Sequence, residues 1–159
     1  MLEIRTGQGW DVHKLALGLP LILGGVRIES EVGLDGHSDA DVLSHAITDA
    51  LLGAAALGDL GQHFPDTDPK WRGASSELFL AHAVGLVRLC GWGISNVDST
   101  VILEQPKLKN YRRAIRESLA RTMGLSIDQV SVKFKTAEGI GPVGMGRSSE
   151  AQAIVTLVR

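Results

Sequence analysis

Asp11 and His13 stand two residues apart behind the lead Gly7-Gln8-Gly9-Trp10. In an extended segment that spacing points both side chains the same way, so one carboxylate and one imidazole face a common point. The stretch from Ile28 to Pro69 carries nine carboxylates and three of the five histidines, yet no Lys or Arg. Such a charge balance suits a cation. Two ligands alone hold a transition metal poorly, and His45 in the acidic stretch is the leading candidate for a third, which points to a site for zinc or a similar ion.

Other residues have both a chemical and a plainer reading. His37-Ser38 precedes a helix start, where unpaired N–H groups can hold a phosphate or simply be capped by Ser38. Asp59-Leu60-Gly61 and Phe64-Pro65-Asp66-Thr67-Asp68 read as turns, and Lys107 and Lys109 as surface charges. Lys135-Thr136-Ala137-Glu138 lies where a strand gives way to a loop, a usual place for binding groups, and Glu138 suits a hard cation such as magnesium. The glycine-rich run 139–146 lacks the Gly-Lys-Ser/Thr ending of a phosphate loop and reads as a flexible connection. Cys90 reads as a small buried apolar residue.

The elements that must position these groups follow from periodicity. Leu2–Thr6 is the expected first strand, with the Asp11/His13 pair after it, and residues 21–28 form a hairpin around Gly24-Gly25. A helix begins near Ser38, with Ser38 as its cap and Leu43, Ile47, Ala50, Leu51 and Ala54 as its buried stripe. His45 lies off that stripe, in a polar line with Asp41 and Asp49. Ser75 caps a second helix burying Leu78, Ala83, Leu86, Val87 and Cys90, and Gly91 ends it. A strand spans Ser95–Leu103, and a third helix carries Ile115, Leu119 and Met123 up to Gly124. Strands at Val130–Lys135 and Ala151–Val158 finish the chain, the last apolar enough to be covered on both faces. The expected class is α+β, one domain over residues 1–159, with a mixed sheet packed against helices.

The chain is 159 residues long and 44% hydrophobic, enough to bury a core without staples. Its net charge of -2 provides no broad basic field for nucleic acid or an anionic membrane. An anionic substrate would therefore need cations for charge compensation. One cysteine, no basic leader and no apolar run of membrane length fit a cytoplasmic protein.

Taken together, Gly7-x-Gly9-x-Asp11-x-His13, His37-Ser38-Asp39-x-Asp41, Ala46-x-Thr48-Asp49-Ala50-Leu51-Leu52-Gly53, Gly58-Asp59-x-Gly61 and Phe64-Pro65-Asp66-Thr67-Asp68 closely resemble the 2-C-methyl-D-erythritol 2,4-cyclodiphosphate synthases. Pro106-Lys107 and Thr136-x-Glu138 extend the resemblance into the second half. It implies a homotrimer with active sites between subunits, each holding zinc and a second divalent cation, magnesium or manganese. The zinc ligands would be Asp11, His13 and His45, with the fourth position left for substrate. Glu138 would bind the second cation. His37 and Ser38 would contact phosphate, and Asp59 to Gly61 with Phe64 to Asp68 would form substrate loops. Leu103, Pro106, Lys107, Leu108 and Lys109, with Lys135 and Thr136, would form a cytidine pocket contributed by the neighbouring subunit.

The implied reaction is an intramolecular phosphoryl transfer that releases CMP from a nucleotide-diphosphate substrate, with His37 and Thr136 as candidates to stabilise the transition state. The same ligands could instead activate water, as in a metal-dependent phosphoesterase. The chain departs from the family at Pro142 and at Gly144-Met145-Gly146-Arg147, a region that lines a threefold-axis cavity in relatives. Phe134 and Lys135 replace the smaller residues common beside the cytidine pocket.

Overall fold

The computed structural model describes all 159 residues. Strand β1 (Ile4–Leu17) is followed by the short pair β2 (Leu21–Leu23) and β3 (Val26–Ile28), then β4 (Val32–Asp35), α1 (Val42–Ala54) and the single turn α2 (Leu60–His63). After α3 (Ser76–Leu89) come β5 (Gly93–Ile102), α4 (Arg112–Met123), β6 (Val130–Lys135), the short α5 (Gly141–Gly144) and β7 (Ser148–Val158). The main sheet has the order β4-β1-β7-β5-β6. Only β5 and β6 run parallel, as the α4 crossover between them allows. The expected mixed sheet with helices is what forms.

The first strand is longer than expected, so Asp11 and His13 lie inside it. Gly7 and Gly9 do not end the strand because they share its helix-facing side with Asp11 and His13, where the backbones of β1 and α1 touch. A Cβ on Gly9 would sit 1.8 Å from the Ala46 carbonyl oxygen, and one on Gly7 2.0 Å from that of Ala50. Small residues on both elements, Gly7 and Gly9 against Ala46, Ala50 and Ala54, let helix and sheet close to backbone contact.

The start of α1 also differs from expectation. The cap is Asp41, which accepts from the Ser44 N–H, while Ser38 Oγ accepts from the Ala40 N–H. Asp41 does not stand in the expected polar line with His45 and Asp49; it is fully buried, taking further N–H bonds from Gly24 and Gly25 and a hydroxyl bond from Ser44. Four donors on one carboxylate thus tie the two-glycine turn to the root of the helix.

Ser75 caps α3 as expected, but the buried side of that helix is Phe79, Leu80, Ala83, Val84 and Val87. Leu78 and Cys90 are exposed, because the stripe runs one residue out of the expected phase and Cys90 falls at the helix end. Gly91 and Gly124 do take left-handed backbone, at φ +80° and +64°. The run 139–146 is ordered, with Gly144 donating to the Ile140 carbonyl to close α5.

Strand β7 is covered on one face only. Ala151, Ala153, Val155 and Leu157 are buried beneath α1, whereas Ile154 on the other face is 53% exposed. Trp10 and Val12 of β1 share that open face. The core of 34 buried residues joins the helices to the inner face and takes in Leu21, Leu23 and Ile28 of the short β2–β3 pair. No helix is long and apolar enough to cross a membrane.

Candidate metal centre and the pockets beside it

Close contact between β1 and α1 brings His45, the residue before Ala46, against the strand. Asp11 Oδ2 lies 3.0 Å from both His45 Nδ1 and His13 Nε2, and the two ring nitrogens are 3.2 Å apart. Three ligating atoms from three side chains therefore converge. His13 Nδ1 donates to the Asp35 carbonyl at 3.0 Å, which leaves Nε2 as its ligating atom. Two imidazole nitrogens and one carboxylate oxygen form a donor set that zinc accepts, with a position left open.

Burial alone would raise the Asp11 carboxyl, but hydrogen bonds from His13 and His45 outweigh it and bring the pKa down to about 2. For His13, burial works against the charged form, yet bonds to Asp11 and the Asp35 carbonyl raise it overall. Asp49 is pushed up chiefly by burial, opposed by the Leu60 N–H it accepts at 2.7 Å. That bond fastens α2 to α1.

Asp11, His13 and His45 sit on the wall of a cavity of about 320 Å³ that also includes His37, Ser38, Leu60, Phe64, Asp66, Trp71 and Phe79. His37 Nε2 donates to the Asp68 carbonyl, so its Nδ1 is left for other partners. Asp59 caps α2 through the Gln62 N–H and Asp68 caps the next turn through the Lys70 N–H. Gly61, Pro65 and Thr67 are parts of this loop and do not line the cavity. Phe64 stacks on Phe79 at 4.4 Å between ring centres, with Trp71 edge-on to both. The loop is thus pinned by an aromatic cluster that turn chemistry alone would not reveal.

A second cavity of about 380 Å³ lies at the ends of β5 and β6. It gathers Leu103, Pro106, Lys107, Leu108, Lys109, Lys135 and Thr136, together with Arg112 and Phe134. Arg112 was not among the residues expected here from the sequence; the signal for it is one turn of spacing beyond Lys109 at the start of α4. Its guanidinium lies 5.1 Å from the centre of the Phe134 ring. The two cavities share no lining residue.

Glu138 lines neither cavity. It takes positive φ, +52°, in a turn held by Glu104, whose carboxylate accepts the Ala137 and Gly139 N–H groups. Among His, Cys, Asp and Glu, the Asp11, His13 and His45 group is the one close enough to share an ion. Glu138 is not brought to it within one chain. A larger cavity, about 470 Å³ beside Leu21 and Ile28, holds no such cluster.

Known proteins match this arrangement from end to end. A 2-C-methyl-D-erythritol 2,4-cyclodiphosphate synthase of Solibacter usitatus (strain Ellin6076) is 66% identical over 157 residues, 99% of either chain. A solved 2C-methyl-D-erythritol-2,4-cyclodiphosphate synthase in a CDP-bound form is 45% identical with a TM-score of 0.89, covering 96% of this chain and 99% of that one. The bifunctional IspDF of Campylobacter jejuni is 41% identical with a TM-score of 0.96; the match covers 99% of this chain and 43% of that longer one. With the YgbB family model matching residues 4–158 as well, the chain belongs to the YgbB family.

Proposed function

We propose that this protein converts 4-diphosphocytidyl-2-C-methyl-D-erythritol 2-phosphate to 2-C-methyl-D-erythritol 2,4-cyclodiphosphate and CMP, as a phosphorus–oxygen lyase of the methylerythritol phosphate route to isoprenoids. The observation that carries the reading is the convergence of Asp11, His13 and His45 on a cavity wall, in a chain 66% identical to a synthase of that name.

Asp11, His13 and His45 are the residues to hold zinc or a similar divalent ion, and Glu138 the residue to hold magnesium or manganese. When bound, such cations neutralise phosphate charge and polarise phosphorus–oxygen bonds. Ser38 Oγ accepts from the Ala40 N–H and from His45 Nε2 at 3.2 Å, so its own hydroxyl hydrogen is available to a phosphate oxygen, and His37 offers its remaining ring nitrogen beside it. Asp59, Leu60, Gly61, Phe64, Pro65, Asp66, Thr67 and Asp68 hold the polyol part of the substrate.

The second cavity takes the cytidine part, with Lys107, Lys109, Arg112 and Lys135 setting a positive field for its phosphate. Thr136 and His37 donate to the oxygens on which charge builds. The protein's task is to fold the substrate back so that a 2-phosphate oxygen attacks the β-phosphorus. The bond from β-phosphorus to the bridging oxygen then breaks and CMP departs with the electron pair, without water entering the balance.

Residues 1–159 act as one domain within a homotrimer whose sites lie between subunits. Two features support this: the uncovered sheet face bearing Trp10, Val12 and Ile154, and the separation of the two cavities within a single chain.

The test is phosphorus NMR of purified protein with substrate, zinc and magnesium, and His13→Ala alongside. Cyclic diphosphate and CMP from the wild type, with turnover in the variant lower by at least about 10²-fold, is the expected result. A linear phosphate carrying solvent oxygen would replace the reading with a hydrolytic one.

A further inference from the structure

His45 is held from behind as well as presented in front. Its Nδ1 faces Asp11 and His13, while its Nε2 lies 2.8 Å from the hydroxyl of Ser76, the buried first residue of α3. Asp39 grips Ser76 twice, accepting its backbone N–H on Oδ2 at 3.0 Å and its hydroxyl on Oδ1. The Asp41 N–H also reaches Asp39 Oδ1.

Counting hydrogens fixes the direction of this chain. A carboxylate only accepts, so the single hydroxyl hydrogen of Ser76 goes to Asp39. The Ser76 oxygen then offers His45 only lone pairs, so Nε2 carries a hydrogen, which also faces the Ser38 oxygen at 3.2 Å. With hydrogen held at Nε2, the proton that Nδ1 shares with Asp11 in the metal-free protein is the one a cation displaces, which leaves the ring's lone pair at Nδ1, the atom that converges with Asp11 and His13. Helix capping does not account for the Ser76 hydroxyl, because Ser75 already accepts the Glu77 N–H at the start of α3.

We infer that Asp39 and Ser76 are positioning residues for the metal centre: Asp39 orients the Ser76 hydroxyl, and Ser76 fixes the tautomer and ring plane that aim His45 Nδ1 at a zinc-class cation. This rests on the metal-binding reading given above. It extends the site from three side chains on β1 and α1 to the loop before α1 and the first turn of α3.

Three variants test it, with zinc affinity measured by chelator competition on protein freed of metal. Asp39→Asn is the sharpest, since an amide nitrogen can donate to Ser76, release the hydroxyl hydrogen toward Nε2 and favour the wrong tautomer. Asp39→Asn and Ser76→Ala should each weaken zinc binding about 10- to 100-fold, and the visible spectrum of their cobalt forms should change. Ser76→Thr keeps the hydroxyl and should bind like the wild type. Wild-type zinc affinity and an unchanged cobalt spectrum in Asp39→Asn would overturn the inference, including in the event that Ser76→Ala does not fold. A wild-type protein that takes up no zinc would overturn the metal centre itself, and is told apart by that control.

Discussion

The two cavities are built by opposite means. At the metal centre almost every polar atom is held by a named partner: His13 by the Asp35 carbonyl, His45 by Ser76, Asp41 by four donors. At the second cavity, Lys107, Lys109, Arg112 and Lys135 surround the space with charge, and the polar bonds there are few and peripheral, such as Lys107 Nζ to the Glu104 carbonyl at 3.4 Å. A centre that must offer ligand atoms at fixed separations needs rigid support. A pocket with the proposed task of attracting a nucleotide by field and shape tolerates longer, freer side chains. Damage should therefore spread from the first cavity into the fold, and stay local at the second.

The largest effect expected is from Gly9→Ala. With its Cβ 1.8 Å from the Ala46 oxygen, strand and helix must part, at a cost of about 3 kcal/mol or more. Zinc affinity should fall with it; unchanged thermal stability and zinc binding would remove the close contact as the cause of ligand convergence. Next comes Asp41→Asn, which turns an amide toward donors and should destabilise by about 2 kcal/mol in denaturant unfolding. An equal midpoint would show that the buried carboxylate contributes nothing net.

Arg112→Ala should weaken CMP binding by at most about fivefold, the scale of an exposed charge, while leaving zinc affinity and melting untouched. Loss of fold in that variant would erase the contrast between the cavities. The smallest effect is a pH dependence. In the metal-free protein Asp11 stays ionised down to about pH 2, while His13 holds its proton to higher pH than the ordinary 6.5. That proton must leave before a cation binds, so zinc affinity should decline as pH falls through the raised His13 value. A decline setting in only below 6.5 would contradict it.

The same contrast governs how much could be read from the chain. Asp11 and His13 were legible because strand geometry turns a two-residue spacing into a shared face, and His45 because it stood in an acidic stretch. Gly7 and Gly9 were visible as glycines, but the reason for them, contact with Ala46 and Ala50, is a property of two elements at once. Ser76 and Asp39 are 37 positions apart, and Asp39 stood out in the sequence only as one member of the His37-Ser38-Asp39-x-Asp41 motif. At the second cavity, leucines, lysines and a proline have no chemistry that local patterning distinguishes; the resemblance to a family drew attention to them.

The sheet and its helices followed from periodicity, and the errors are instructive. Leu78 and Cys90 were assigned to the core because neighbouring apolar residues allow two phases of one helix, and packing chooses between them. The near-continuous apolar run of β7 predicts cover on both faces, and within one chain only the inner face has it. Its outer side mixes Glu150, Gln152 and Thr156 with Ile154 and Val158, and Ile154 with its neighbours Trp10 and Val12 is the apolar part left without a local partner, in keeping with the proposed trimer.

Because the two cavities have no residue in common, the proposed site, which needs both and lies between subunits, would be repaired by mixing. A chain carrying His13→Ala retains a sound second cavity, and a chain carrying Thr136→Ala retains a sound metal centre. Unfolded together in equal amounts and reassembled, they would pair one good half with another in about a quarter of the sites, counting random neighbours around a closed ring. Two inactive preparations would then yield an active one, a form of inheritance that belongs to the assembly and to neither polypeptide.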